Sequence, residues 1–257
     1  MAINKESNAY TIIFAVIMVT IVGGLLAFIS ISLKPIQKAN VKNEKMQNIL
    51  QAIGDSTLSE ITREEAGELF NQYVIKRVVL DYNGNVIGKE LTAEDEIDDK
   101  NEQDPFNVNM RGEYVSEPDI TKRNYPLYVL EKDGERYFVV SFSGKGLWDD
   151  IWGYIGIKSD GATISGAIFD HKGETPGLGS KITEDWFQDA FIGKSISNDG
   201  VFKALKVVKP KLVSELKPHE INGISGGTFT SVGVTEMLGR TIEVYVKYFN
   251  ANPGELK

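Results

Sequence analysis

Six residues near the carboxyl end, Ser225-Gly226-Gly227-Thr228-Phe229-Thr230, combine three hydroxyls with two glycines and lead directly into a helical pattern. A helix N-terminus offers free amide N–H groups and the positive end of a dipole, so an anionic group can be presented there. A hydroxyl at that place could be esterified by phosphate, and the new charge would be favoured by about 0.3–1 kcal/mol. The same residue types also make ordinary caps and turns, so the six alone leave both readings open.

Two further stretches could carry chemistry. Gly146-Leu147-Trp148, followed by Trp152 and Gly153, sets large aromatics beside glycines. That is either sheet core or a flat wall for a planar ligand. His171 precedes Gly173-Glu174-Thr175-Pro176-Gly177-Leu178-Gly179. Three glycines and a proline make this a strand-to-helix connection, or a stiff loop whose backbone amides could bond the edge of a ring. His171 itself reads as a surface or hydrogen-bonding histidine. Thr183 is the expected N-cap of the next helix, with Glu184 and Asp185 in its first turn and Trp186, Phe187, Ala190 and Phe191 on one face.

The elements that must position these residues follow from periodicity. Tyr10 to Leu33 is 24 residues without a charge. As a helix it reaches roughly 36 Å, enough for a hydrocarbon core of about 30 Å. A signal peptide's apolar region is shorter and ends at a cleavage site, whereas this run continues into Lys34 and Pro35, so an uncleaved anchor is expected. Lys34, Lys38, Lys42 and Lys45 after the span favour a cytoplasmic domain by charge, a rule that is weak for long domains. Ile36 to Gly54 reads as a helical stalk, and Arg63 to Tyr73 as a second helix. Asn83-Gly84, Asp133-Gly134 and Asp160-Gly161 sit between alternating runs and mark three hairpins, with strands at 125–131, 136–143, 152–158 and 163–169. Ala93 to Pro105 is acidic and reads as a solvated loop. Val234, Met237, Leu238, Ile242, Tyr245, Tyr248 and Phe249 recur at helical spacing, giving a last helix that ends before Asn252-Pro253. The expected fold is α+β: one N-terminal transmembrane helix and a domain of antiparallel sheet with flanking helices. The boundaries are a tail over 1–9, the span over 10–33, the stalk over 34–56 and the domain over 57–257.

Composition narrows the function. A net charge of −8 argues against nucleic acid. With no cysteine and two histidines, the chain offers no disulfide, no thiolate nucleophile, no ordinary iron–sulfur ligation and no histidine-rich metal site. No dinucleotide fingerprint or phosphate loop is present, and no catalytic triad.

Together, the anchor, the Gly-Leu-Trp segment, the Glu174–Gly179 loop and the Ser-Gly-Gly-Thr-Phe-Thr stretch resemble the NqrC family, one of the six subunits of the Na+-translocating NADH:quinone reductase (Nqr). They resemble more distantly the corresponding flavoprotein of the Rnf complex, RnfG. The resemblance covers nearly the whole chain and implies an extracytoplasmic FMN-binding domain, single-pass in the bacterial inner membrane. In that family the final threonine of a Ser-Gly-Ala-Thr-x-Thr motif carries FMN by a phosphodiester, which implies Thr230 here. Ser225, Gly226, Gly227 and Thr228 would be read by the modifying flavin transferase or contact the phosphate. The flavin ring would lie against Glu174, Thr175, Gly177, Leu178 and Gly179, with Trp148 or Leu178 near it. Position 227 is Gly where the family usually has Ala, and Asn222 stands where an Asp often precedes the serine, which could weaken recognition by the transferase. The implied role is to relay electrons toward quinone beside subunits A, B, D, E and F, supporting Na+ export. The rival readings are the Rnf flavoprotein and a membrane-anchored binding module without redox chemistry.

Overall fold

The computed structural model describes residues 7–98 and 100–256. It divides into two compact units, residues 1–45 and 46–257. In the first, helix α1 (Asn8–Gln51) begins, running through Pro35 without a break. Its apolar side chains between 11 and 41 are exposed on every face. Among the described residues it is the one helix long and apolar enough to cross a membrane. Its last turns differ: Met46, Ile49 and Leu50 are buried in the second unit.

The second unit is built on a six-stranded antiparallel sheet. Helix α2 (Arg63–Tyr73) starts with a capping box in which Thr62 and Glu65 satisfy each other's backbone N–H groups. It leads into β1 (Val74–Leu80), and the Asn83-Gly84 turn returns the chain as β2 (Val86–Thr92). After α3 (Met110–Ser116) come β3 (Tyr125–Lys132), β4 (Glu135–Lys145), β5 (Asp150–Lys158) and β6 (Ile164–His171). The order across the sheet is β2-β1-β3-β4-β5-β6. A short helix α4 (Asp185–Asp189) follows, then the hairpin β7 (Ser197–Asn198) and β8 (Val201–Phe202). The parallel pair β9 (Lys206–Val208) and β10 (Glu220–Asn222) precedes the long helix α5 (Thr228–Ala251).

Strand alternation sorts the side chains to two cores. Leu127, Val129, Phe138, Val140 and Phe142 face α5, joining Val234, Met237, Leu238, Ile242, Tyr245 and Phe249. Tyr128, Leu130, Val139 and Tyr154 face the other way, against Ile49, Leu50 and Phe70. The helix and hairpin expectations hold, with two corrections. Thr183 is not an N-cap: it ends a 3-10 turn over Gly179–Thr183 and donates its hydroxyl to the Ser180 carbonyl, while Glu184 precedes α4. The acidic stretch is not wholly solvated either. Asp104 is 1% exposed and paired with buried Arg77 at 3.0 Å, and the same guanidinium also donates to the carbonyls of Thr92, Asp95 and Glu96.

Candidate functional site

Antiparallel pairing brings the three chemistry-bearing stretches to one end of the sheet. The β4–β5 connection carries Gly146, Leu147 and Trp148, and Ile151 at the start of β5 pairs with His171 at the end of β6. The Glu174 loop therefore leaves the sheet beside that connection. The start of α5 arrives at the same place because Gly233 lets the helix press on the Lys145 carbonyl, where a Cβ would overlap it.

Glu174 joins all three. Its carboxylate is 4% exposed and accepts the Thr230 hydroxyl at 2.5 Å, the Trp148 N–H at 2.9 Å and the Asp149 N–H at 3.5 Å. Burial pushes its pKa up, but the hydrogen bonds from Thr230 and from the backbone of Trp148, Asp149 and Leu147 outweigh this and hold it below its ordinary value of 4.5. The carboxylate is thus ionised in a nearly dry setting. Gly146 and Gly179 make this possible, since a Cβ on Gly146 would come to 2.5 Å from the carboxylate, and one on Gly179 would overlap both it and the Thr230 hydroxyl. His171 fixes the loop's entry by accepting the Glu174 N–H at Nδ1, 3.2 Å away. The Trp148 indole N–H donates to the Thr175 hydroxyl at 2.9 Å. Trp148 is 66% exposed, so this tryptophan is surface wall, not sheet core.

The Ser225–Thr230 stretch is not an ordinary cap. The N-cap of α5 is Gly227, no side-chain cap bonds its first turn among the described residues, and the first turn has no acidic residue. Gly226 takes φ +77°, a left-handed conformation that costs glycine nothing, and Leu178 lies over it. Gly227 backs onto Ile224 and the Gly179 N–H, and because its φ is −103° an alanine there would meet crowding but no backbone strain.

Thr228 and Thr230 part company. At about 100° per residue the two side chains point roughly 200° apart around the helix. Thr230 is 1% exposed and its hydroxyl is engaged with Glu174. Thr228 is exposed. A phosphodiester on Thr230 would have to displace a buried carboxylate and then sit beside its negative charge. The structure thus leaves the Thr228 side chain exposed and the Thr230 hydroxyl engaged with Glu174.

Asn222 uses both halves of its amide: Oδ1 accepts the Lys211 N–H at 3.0 Å and Nδ2 donates to the Lys211 carbonyl at 2.9 Å. An aspartate could do only the first. Sequence reasoning missed this role, and it missed Ser231, whose hydroxyl accepts the Ile224 N–H. Single polar residues inside a helical or strand-like run carry no signal of such long-range pairing.

An FMN-binding domain family matches residues 146–243, a segment that opens on Gly146 and contains all three stretches. The crystal structure of NqrC, the Na+-translocating NADH-quinone reductase component, from Parabacteroides distasonis is 35% identical, covering 84% of this chain and 96% of that one, with a TM-score of 0.68. The chain belongs to the NqrC family of Na+-translocating NADH-quinone reductase subunits. NqrC of Vibrio anguillarum is 28% identical over 237 residues, 91% of this chain and 90% of that protein. The Shewanella oneidensis NqrC crystal structure matches with a TM-score of 0.61 at 25% identity, covering 84% of this chain and 97% of that one.

The residues of this NqrC family member fit the phosphate end of FMN. Uncapped amides at the start of a 24-residue helix, an exposed hydroxyl at its first position and a glycine pair beside it make an anion seat that no side chain caps among the described residues.

Proposed function

We propose that the chain is the electron-carrying flavoprotein subunit of a Na+-translocating NADH:quinone reductase, holding FMN covalently through the hydroxyl of Thr228. The observation that carries this is the uncapped first turn of α5 with Thr228 exposed and Thr230 locked to Glu174. Thr228 supplies the ester oxygen. The first-turn amides and the helix dipole stabilise the phosphate charge. Glu174 and Thr230 hold the loop over 174–179 and Trp148 in place, while Gly179 and Gly227 keep Cβ atoms out of the junction. Bound FMN supplies the reversible electron transfer that no side chain of this cysteine-free chain can. A permanent ester keeps the cofactor from leaving during turnover.

The exposed apolar stretch of α1 is the membrane anchor, with the flavin domain on the periplasmic side of the bacterial inner membrane. That span has no ionisable residue between Tyr10 and Leu33 other than Tyr10 itself, so Na+ passes through other subunits. Subunits A, B, D, E and F are the partners, and a flavin transferase installs the cofactor. The test is peptide mass mapping of the full chain after co-expression with a flavin transferase. The expected result is one peptide heavier by FMN less one water, with fragmentation placing it on Thr228. An unmodified chain, with an active transferase verified on a control protein, would sink the reading.

A further inference from the structure

Lys34, Lys38, Lys42 and Lys45 follow the charge-free run from Tyr10 to Leu33. They continue the same unbroken helix, α1, which carries no carboxylate from Asn8 to Asn43. At about 100° per residue, spacings of four, four and three residues set all four lysines within an arc of about 80°. Glu44, the first acid of the helix, stands outside that arc.

Depth selects two of them. Lys34 directly follows the apolar run, and Lys38 lies about 6 Å farther along the axis at about 1.5 Å per residue. The headgroup layer outside a hydrocarbon core of about 30 Å is about 5–8 Å thick on each side, so both ammonium groups reach it. Both residues are exposed, and helical side chains lean toward the N-terminus, which here is toward the bilayer. Pro35 adds an acceptor on the same face. It has no N–H to give the Ile31 carbonyl its usual helix bond, and Ile31 sits about 60° round from Lys34, inside the lysine arc. Helix carbonyls point toward the C-terminus, so this one is directed at the headgroups.

Resting on the reading of α1 as the membrane anchor, we propose that this face binds an anionic phospholipid headgroup, with the phosphate held by Lys34 and Lys38 and a glycerol hydroxyl donated to the Ile31 carbonyl. Phosphatidylglycerol has that chemistry. Phosphatidylcholine does not, since its headgroup cation repels the lysines and it has no hydroxyl to donate. The lysines then serve the leaflet from which the domain emerges, in keeping with the weak hold of flanking charge on the topology of long domains.

The experiment starts with full-length chain in membranes washed with alkaline carbonate. Release by the wash overturns the anchor reading and this inference together. Retained chain in neutral detergent is titrated with each lipid, and bound lipid is counted by native mass spectrometry. Lysines beside a membrane favour anionic lipid about fivefold each, equivalent to about 1 kcal/mol, so wild type should prefer phosphatidylglycerol over phosphatidylcholine about 25-fold. Lys34→Gln/Lys38→Gln should lose that preference, and Lys158→Gln/Lys206→Gln, the same charge change on exposed lysines of the domain, should keep it. Pro35→Ala gives the carbonyl its N–H back and should weaken phosphatidylglycerol binding but not that of phosphatidic acid, which lacks the glycerol. With retained chain, an unchanged preference in Lys34→Gln/Lys38→Gln, an equal loss in the control pair, or displacement of the lipid by inorganic phosphate at equal concentration overturns the headgroup site and leaves the anchor standing. Unchanged phosphatidylglycerol binding in Pro35→Ala overturns the part given to the Ile31 carbonyl.

Discussion

Glu174→Ala is expected to loosen the whole junction. The carboxylate is 4% exposed and receives the Thr230 hydroxyl and the backbone N–H groups of Trp148 and Asp149. Removing it strands donors that water reaches poorly, above all the 1% exposed Thr230. A hydrogen bond to a charged group contributes about 1.5–3 kcal/mol and a stranded buried donor costs about 1–3 kcal/mol, so the expected loss is about 2–4 kcal/mol. Glu174→Gln keeps the shape and one acceptor, and should lose about 1–2 kcal/mol. The assay is urea unfolding of the full chain in detergent, followed by tryptophan emission. The carboxyl's pKa is lowered on folding, so its contribution is fully present above 4.5 and lost as pH falls through the lowered value. Wild type should therefore destabilise in that acidic window by an amount that Glu174→Gln does not show. A Glu174→Ala chain within about 0.5 kcal/mol of wild type, the scatter of neutral surface changes, would refute the role given to this carboxylate.

Three other outcomes follow from the packing. Gly179→Ala puts a methyl into the Glu174–Thr230 contact, and overpacking of this kind costs about 1–3 kcal/mol, readable as a lower Tm. Arg77→Ala leaves Asp104 buried and uncompensated, a loss of about 3–5 kcal/mol in urea unfolding, with faster proteolysis expected within residues 93–105. Asn222→Asp keeps the bond from the Lys211 N–H and loses the one to its carbonyl, so about 1 kcal/mol of stability should go, readable in urea unfolding.

Local patterns were legible because local physics sets them. Asn83-Gly84, Asp133-Gly134 and Asp160-Gly161 each turn an antiparallel pair, since glycine supplies the positive φ these turns need. Helix α2 spans the expected residues, and every apolar position read on α5 from Val234 to Phe249 is buried. What sequence could not show was which of two nearby threonines faces inward. That depends on where α5 starts, and it starts at Thr228, which sends Thr230 to Glu174, 56 positions away in the chain. The same limit hid Asp104: one carboxylate among many in an acidic run looks solvated until a buried arginine from strand β1 reaches it. Trp148 stayed open between core and surface for a related reason, since an aromatic beside glycines says nothing about whether the strand has already ended.

Attachment at Thr228 in place of Thr230 is the claim on which the site stands or falls. In-gel flavin fluorescence of denatured full-length chain, co-expressed with a flavin transferase, compares wild type with Thr228→Ala and Thr230→Ala. The expected pattern is a bright wild-type band, a dark Thr228→Ala band and a Thr230→Ala band that still fluoresces. A dark Thr230→Ala band beside a bright Thr228→Ala band would contradict it and would mean that the Glu174–Thr230 bond opens to admit the cofactor.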